Sequence, residues 1–451
     1  MASITAALER IKQDPLGAIT PAAVEEVCRE LGHRWRDRDL DPATTIALFV
    51  QQILHGNTPC TEVPRLVGAS FTASAWCQAR SRLPLGVVQA MLTRVCDAAR
   101  PPGGRGEEAH RWRGHRTFHI DGSTFSMPDT PELQKAFGQP SGQKKGCGFP
   151  VAHLLLLFDA ATGLLVDADA GPLHTGDVSG APELHAHLDA GDVLIGDDSF
   201  SGWTHFALLL QQNLHGVFPN HHLRIVDFAP GRAHCGAGKK AVAGQPRSRW
   251  IKSLGKDDQL VEWFKPQGCP AWMTPADYDA LPESITVREL RRTVKLDDGR
   301  RVIVTVVTTL LDAQRYPADA VIQLRMRRWD VETNIRHLKT TMGLDVLRCK
   351  TEDGVRKELA VFCLVYNLVR VVMLQAAARQ QVKVDRISFS DTLKWMRYAR
   401  PGDRLPRLVV NPLRPNRIEP RCRKRRPKQY DLMNKPRDVL RKRLKNKAKR
   451  V

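Results

Sequence analysis

The chain has 451 residues, of which 42% are hydrophobic, and a formal net charge of +21. This length and composition are typical of two or three domains with buried cores, and they exclude a largely disordered protein. The charge is uneven, because residues 411–451 contain 17 Lys and Arg against 3 Asp and Glu, a net of +14, and the remaining residues carry only +7. A basic tail on a moderately basic body indicates a polyanionic partner, with nucleic acid as the first candidate.

Membrane insertion and secretion are not expected. The longest apolar stretch, residues 361–374, is interrupted by Asn367 and Arg370, whereas an apolar helix needs about 20 residues to span a bilayer. The N-terminus lacks the uninterrupted apolar core of a signal peptide. We therefore expect a cytoplasmic protein without a membrane partner, in which most of the ten cysteines are reduced and buried.

Residues 1–100 are predicted to form a helical N-terminal domain. Apolar residues recur there at three- and four-residue spacing in three segments: 22–31, 42–54 and 84–99. Thr20 and Asp41 each precede a proline, which is typical of an N-cap followed by the first helical turn.

A shorter helix is predicted between them, in the sequence SFTASAWCQARSRL. Its periodicity places Trp76 and Leu83 inward and Arg80 and Arg82 outward. Two interpretations remain open, since such a helix suits a helix-turn-helix reader of DNA but also serves simply for packing.

A linker rich in Pro, Gly and charge is predicted at residues 101–114, before a change in character. In residues 115–221, apolar runs typical of strands come first in hairpins and then alternate with helical segments, which predicts a mixed α/β sheet. Residues 222–316 contain short alternating runs between turn residues and are predicted to be a β-rich insertion. Helices then resume over residues 317–380, and residues 381–451 form a helical, basic C-terminal region.

Two aspartates follow apolar runs that are predicted to be strands. Asp121 comes directly after FHI, and Asp197 comes directly after VLIG. Ligands of open α/β sheets bind at the carboxyl ends of the strands, so these two acids would share a metal ion if the strands are neighbours. Asp is also a common turn residue after a strand, which by itself explains either one.

A third acid is predicted to lie on a helix over residues 324–342. At about 100° per residue, five charged side chains fall in a stripe less than about 90° wide: Arg325, Arg328, Glu332, Arg336 and Lys339. One carboxylate among four cations suits a surface that grips phosphates while the acid completes a metal site. A ladder of ion pairs four residues apart on the helix explains the same pattern.

Three segments together resemble the catalytic motifs of the DDE transposases of bacterial insertion sequences, in particular the insertion sequence four family: HIDGSTFSMPD, GDVLIGDDSF and RRWDVETNIRHLK. That family's third motif has Tyr, two residues, Arg, three residues, Glu, six residues and Lys. It places Arg328, Glu332 and Lys339 at the expected positions, whereas Arg325 occupies the Tyr position. Asp198 stands where many relatives have Arg. The resemblance covers roughly residues 70 to 375.

The resemblance implies a ribonuclease-H-like mixed sheet, interrupted by the β-rich insertion, between a helical N-terminal DNA-binding domain and the basic C-terminal region. It implies that Asp121, Asp197 and Glu332 are the catalytic triad and hold two Mg²⁺ or Mn²⁺ ions per active site. Neighbouring acids remain as alternatives if the motifs are displaced: Asp129, Asp192 and Asp198.

The implied activity is metal-dependent cleavage and strand transfer of double-stranded DNA at terminal inverted repeats and at a target. The enzyme would act in the bacterial cytoplasm, associated with the nucleoid, as a homodimer in the synaptic complex. DNA contacts are expected from the cations of the third motif and from Arg80 and Arg82. Two alternatives are a ribonuclease-H-like nuclease and a catalytically inactive, DNA-binding descendant.

Overall fold

The computed structural model describes residues 18–36, 38–100, 108, 110–236, 242–296, 299–399, 403–412 and 435–448. Much of the predicted linker, residues 101–107 and 109, lies outside these ranges. So does most of the basic tail, residues 413–434 and 449–451.

Within the described ranges, five helices precede the sheet: α1 (Pro21–Glu30), α2 (Pro42–Leu54), α3 (Val63–Val67), α4 (Ala73–Arg82) and α5 (Leu85–Ala99). Thr20 and Asp41 are the N-caps of α1 and α2, as the sequence predicted. The Thr20 side chain accepts a hydrogen bond from the Ala23 amide, and the Asp41 side chain accepts one from the Thr44 amide. Helix α2 is buried at every residue and forms the centre of this helical region.

Nine strands form one mixed sheet: β1 (Thr117–Ser126), β2 (Val151–Asp159), β3 (Leu165–Pro172), β4 (Val193–Ile195), β5 (His215–Pro219), β6 (Ser248–Gly255), β7 (Asp258–Phe264), β8 (Ser284–Lys295) and β9 (Arg301–Thr308). Their order across the sheet is β3-β2-β1-β4-β5-β9-β8-β7-β6. Strands β1, β4 and β5 are mutually parallel, and the other neighbours are antiparallel. The predicted mixed α/β sheet is therefore present.

Strand β1 continues past Asp121, which corrects the expectation that this residue ends a strand. Antiparallel pairing with β2 runs from Phe118 to Ser126 and keeps the backbone extended. The parallel pairing with β4 covers only Thr117–His119, however. Asp121 thus lies just beyond the point where β4 stops.

The strands of the segment predicted as a β-rich insertion do not form a separate sheet. Strands β6 to β9 make an antiparallel meander, and β9 pairs with β5 through residues 217–219 and 306–308. The insertion therefore extends the edge of the core sheet on the side of β5.

Shorter helices connect or cover the strands: α6 (Pro131–Phe137), α7 (Asp177–His185), α8 (Trp203–Gln211) and α9 (Pro275–Asp279). After the sheet come α10 (Ala318–Met326), α11 (Trp329–Arg336), α12 (Glu352–Gln380), α13 (Phe389–Tyr398) and α14 (Arg437–Ala448). Helix α12 lies in the core with α2 and α5. In the described part of the chain it alone is long and apolar enough to cross a membrane, but 89% of its most apolar window is buried inside the protein.

The single helix predicted over residues 324–342 is interrupted. Between α10 and α11 the backbone bonds shorten to three-residue spacing, as from Asp330 to Arg327 and from Val331 to Arg328. A π-helical turn, His337–Thr341, then follows α11. Because a tight turn and a wide turn advance by different angles, one regular helical wheel does not describe this segment.

A buried ion pair joins the insertion to the start of this helical segment. Arg288 is fully buried and donates from two guanidinium nitrogens to Asp258, at 2.7 and 2.6 Å. A third nitrogen donates to the carbonyl of Tyr316, directly before α10, at 2.6 Å. The pair therefore holds β7, β8 and the approach to α10 together.

Replacing one partner of this pair should be costly. We expect Asp258→Asn to lower the free energy of unfolding by about 3–5 kcal/mol, because it leaves a buried guanidinium without its counter-charge. Urea unfolding measures the change. The matched control is Asp319→Asn, which removes the exposed partner of Arg292 and should cost less than about 1 kcal/mol. Equal losses in the two variants would contradict a special role for the buried pair.

Candidate active site at the end of the parallel strands

Two of the predicted acids are brought together by the register of β1 and β4. His119 pairs with Ile195 in the parallel ladder. Asp121 and Asp197 each lie two residues beyond that pair, on neighbouring strands that run in the same direction. The two carboxylates therefore leave the same edge of the sheet side by side.

The turn after β4 fixes the backbone around Asp197. Its carboxylate caps a short 3₁₀ turn, Asp198–Phe200, by accepting a hydrogen bond from the Ser199 amide at 2.9 Å. The Ser199 hydroxyl donates to the same oxygen at 2.5 Å. A Cβ at Gly196 would lie 2.7 Å from the ring of Phe200, so only glycine fits where the chain leaves the strand.

Arg328 links the third acid to the first. One of its terminal nitrogens donates to Asp121 at 2.9 Å, and the other donates to Glu332 at 3.1 Å. The side chains of Arg328 and Asp121 are mostly buried, at 18% and 13% exposure, whereas that of Glu332 is 45% exposed. The ion pair expected between residues four apart on the helix is thus present, and the same guanidinium also reaches the sheet.

Burial and like charge raise the pKa of Asp121. Burial is the larger cause and brings the pKa to about 6, against 3.8 for an ordinary aspartate. The Arg328 charge lowers it and the neighbouring Asp197 charge raises it. Arg325 lies among the same charges, since burial and Arg328 lower its pKa to about 10 while the nearby aspartates raise it.

Carboxylate oxygens are the hard ligands that Mg²⁺ and Mn²⁺ prefer, so the donor chemistry of these acids fits such ions. The arrangement shown, however, is held by a guanidinium. Within the described ranges, no three His, Cys, Asp or Glu side chains are gathered closely enough to hold a metal ion. Two of the three acids instead share Arg328 as their counter-charge.

The remaining cations of the third motif lie in different surroundings. Arg325 is half-buried, and its Nε atom is buried without a hydrogen-bond partner. Arg336 is exposed on α11. Lys339 lies in the π-helical turn and forms an ion pair with Asp345 at 3.3 Å.

The outward direction predicted for Arg80 is wrong. Trp76 and Leu83 are buried and Arg82 is exposed, as predicted. The guanidinium of Arg80 lies 4.0 Å from the ring centre of Phe49 and donates to the sulfur of Cys349 at 2.8 Å. A planar cation stacks well on an aromatic face, so α4 turns this arginine toward its neighbours.

The alternative acids have other partners. Asp192 is buried at the opposite end of β4, where it accepts hydrogen bonds from Arg116. Asp129 forms an ion pair with Arg437 of α14 at 2.8 Å. Asp198 follows Asp197 directly, and its carboxylate lies 3.5 Å from a ring nitrogen of His222.

Sequence reasoning missed Asp177, at the start of α7. Its carboxylate contacts His153 of β2 at 2.6 Å and Ser199 at 3.2 Å, and its charge also raises the pKa of Asp121. Residues 173–176 separate it from the end of β3, and no apolar run immediately precedes it. The pattern used for the other two acids therefore did not select it.

Comparison with known proteins identifies the family of the chain. Residues 112–368, more than half of the chain, match the family described as Transposase DDE domain. The chain belongs to this family. The matched region includes all three acids and Arg328.

Two proteins from Escherichia coli (strain K12) are similar to the chain in sequence. "Transposase InsG for insertion sequence element IS4" is 27% identical over 382 residues, which cover 79% of this chain and 77% of the relative. "Putative transposase InsZ" is 26% identical over 157 residues, which cover 32% of this chain and 50% of the relative. The chain is thus a DDE transposase of the insertion sequence four type, and the predicted resemblance is confirmed.

A solved structure of the piggyBac transposase synaptic complex with hairpin DNA is similar to the structure of this chain. It aligns with 88% of this chain and 80% of its own chain, at 10% identity and a TM-score of 0.42. At this level of similarity it adds no argument about the fold or the function of this transposase.

The raised pKa of Asp121 predicts a pH dependence of stability in the metal-free transposase. Between about pH 4 and 6 the folded state binds the Asp121 proton more tightly than the unfolded state does, so this contribution to stability falls as pH rises. One pKa unit corresponds to about 1.4 kcal/mol, which limits the total loss to about 3 kcal/mol.

The measurement is urea unfolding at pH 4.5 and 7 with chelator, for the wild type and for Asp121→Asn. We expect the wild type to lose stability relative to the variant at the higher pH. A difference between the two proteins that is the same at both pH values would show that Asp121 is not held in this environment.

Proposed function

We propose that the protein binds the terminal inverted repeats of its own element and catalyses metal-dependent DNA strand cleavage and strand transfer. Asp121, Asp197 and Glu332 form its catalytic triad. The observation that carries the proposal is the bridge made by Arg328 between Asp121 and Glu332, together with the parallel pairing that ends two residues before Asp121 and Asp197. Three acids from distant parts of the chain therefore converge on one edge of the sheet, which we take to be the ribonuclease-H-like core.

The family uses divalent metal ions, and we propose that these three carboxylates hold two Mg²⁺ or Mn²⁺ ions. When bound, such a pair activates the attacking oxygen and stabilises the leaving oxygen of a phosphodiester. The crowding of the acids supports this proposal. Asp121 is buried beside another carboxylate and shares the guanidinium of Arg328 with Glu332, so bound cations would relieve the repulsion between the acids.

The cations around the acids are proposed to bind DNA phosphates. Arg328 lies between Asp121 and Glu332, and Arg325 interacts electrostatically with Asp121 and Asp197. The exposed Arg336 extends the positive surface on α11, whereas Lys339 would have to leave its ion pair with Asp345 to bind a phosphate. Of the two arginines of α4, only the exposed Arg82 is available for such a contact.

We further propose that the transposase works in the bacterial cytoplasm, associated with the nucleoid, and that two copies act together on paired element ends. Strand transfer distinguishes it from a nuclease on the same fold. A nuclease would cut end-containing DNA without ever joining it to a target. An inactive descendant would bind the ends and leave them intact.

Glu332→Gln should abolish cleavage of a linear duplex that carries the element's ends, while binding of that duplex stays within about threefold. The substitution removes a negative charge from the metal site and leaves the shape of the side chain. Cleavage is measured on denaturing gels with Mg²⁺ or chelator, and binding by gel shift.

The matched control is Glu352→Gln. Glu352 is similarly exposed, at 41%, and also pairs with an arginine four residues away in the chain, Arg356, at 2.9 Å. This variant should cut DNA like the wild type. Cleavage retained by Glu332→Gln, or lost equally in both variants, would refute the assignment of Glu332.

Removing the basic tail should flatten the salt dependence of DNA binding. Residues beyond Pro412 carry a net charge of +14, and each phosphate contact contributes about 0.9 to the slope of log K against log salt. The slope is measured from binding isotherms between 50 and 200 mM salt for the full chain and for a chain ending at Pro412. An unchanged slope would show that the tail does not contact DNA.

A further inference from the structure

Asp177 is held between the sheet and the turn that carries Asp197. One carboxylate oxygen lies 2.6 Å from Nε2 of His153, on β2. The other lies 3.2 Å from the hydroxyl of Ser199, and that hydroxyl lies 2.5 Å from the carboxylate of Asp197. A continuous chain of polar contacts thus joins His153 to Asp197 through Asp177 and Ser199.

Strand β1 leaves room for the Asp177 side chain only because residue 122 is glycine. A Cβ built on Gly122 would lie 2.1 Å from the Asp177 carboxylate oxygen, which is far inside van der Waals contact. Asp177 therefore lies directly against β1, next to the residue that follows Asp121. The β1 backbone at Gly122 and the Asp177 side chain are therefore complementary in shape.

The protons in this chain of contacts can be counted. A serine hydroxyl donates one hydrogen bond, but Ser199 faces carboxylate oxygens on both sides. His153 contacts Asp177 through a ring nitrogen, which as N–H supplies a second donor. The single proton of Ser199 is therefore shared between Asp197 and Asp177, and it holds the hydroxyl between the two carboxylates.

We propose that Asp177 is a positioning residue for Asp197, held by His153 and acting through the Ser199 hydroxyl. It fixes the side-chain direction of Asp197 and thereby sets the affinity of the site for divalent ions. This inference rests on the proposed function, because it assumes that Asp197 is a metal ligand. Groups that orient metal ligands typically change metal affinity by about 10- to 100-fold when they are removed.

The test is Mn²⁺ binding to the purified full-length protein, with Mn²⁺ alone as the probe and electron paramagnetic resonance of the free ion as the readout. Asp177→Ala removes the carboxylate, so the contacts with both His153 and Ser199 are lost. We expect its dissociation constant for Mn²⁺ to rise at least tenfold, with a circular dichroism spectrum and a thermal midpoint like those of the wild type.

The matched control is Asp167→Ala. Asp167 also pairs with a histidine, His187, at 2.9 Å, and it is similarly exposed, at 26% against 25% for Asp177. It lies on β3, away from the Ser199 turn, and its replacement should leave Mn²⁺ binding within about twofold of the wild type. An equal loss in both variants would overturn the proposal.

Two substitutions of Ser199 test the route of the effect. Ser199→Ala removes the hydroxyl and should raise the Mn²⁺ dissociation constant, whereas Ser199→Thr keeps the hydroxyl and should retain most of the affinity. Wild-type affinity in Ser199→Ala would contradict a positioning role that acts through this hydroxyl. A loss in Ser199→Thr equal to that in Ser199→Ala would contradict it as well.

Asp121→Asn separates this inference from the proposed function. If Asp121→Asn binds Mn²⁺ as well as the wild type does, the proposed triad is wrong. If Asp121→Asn loses Mn²⁺ while Asp177→Ala keeps wild-type affinity, the triad stands and only the positioning role of Asp177 is refuted.

Discussion

The contact on which the site depends is the double ion pair of Arg328 with Asp121 and Glu332. Asp121 belongs to a strand and Glu332 to a helix more than 200 residues further along the chain, yet one guanidinium serves both. Without a counter-charge, a carboxylate as buried as Asp121 would be expensive to ionise beside Asp197. The arginine therefore keeps the acids together in the metal-free protein, and the same demand for positive charge would attract divalent ions.

The sheet supplies the other half of the arrangement. The parallel pairing of β1 with β4 is only three residues long. Each of the two chain segments carries an aspartate two residues beyond the end of that pairing. The antiparallel pairing of β1 with β2 continues past that point and keeps the backbone around Asp121 extended. At the opposite edge of β5, the insertion strands extend the sheet, and the buried Arg288–Asp258 pair connects them to the approach to α10. The helix that carries Glu332 is thus positioned from both sides.

The sequence predicted much of this because the signals are local. An apolar run followed by Asp predicted that Asp121 and Asp197 leave the same edge of the sheet, although β1 continues past Asp121, and motif spacing selected Glu332. The interruption of the long helix was missed because no Pro or Gly marks it. Arg80 was assigned outward because a helical wheel does not include an aromatic ring on another helix. Asp177 was missed because its significance comes from His153 and Ser199, which are close only in the folded chain.

The central claim is that the acids now joined by Arg328 are the ligands of divalent ions when DNA is bound. The most direct test is a crystal structure of the full-length transposase with an end-containing duplex and Mn²⁺, with data collected for the anomalous signal of manganese. We expect anomalous peaks within coordination distance of the carboxylates of Asp121, Asp197 and Glu332, with the contact between Arg328 and Asp121 broken. Manganese located elsewhere, with that ion pair intact, would contradict the central claim.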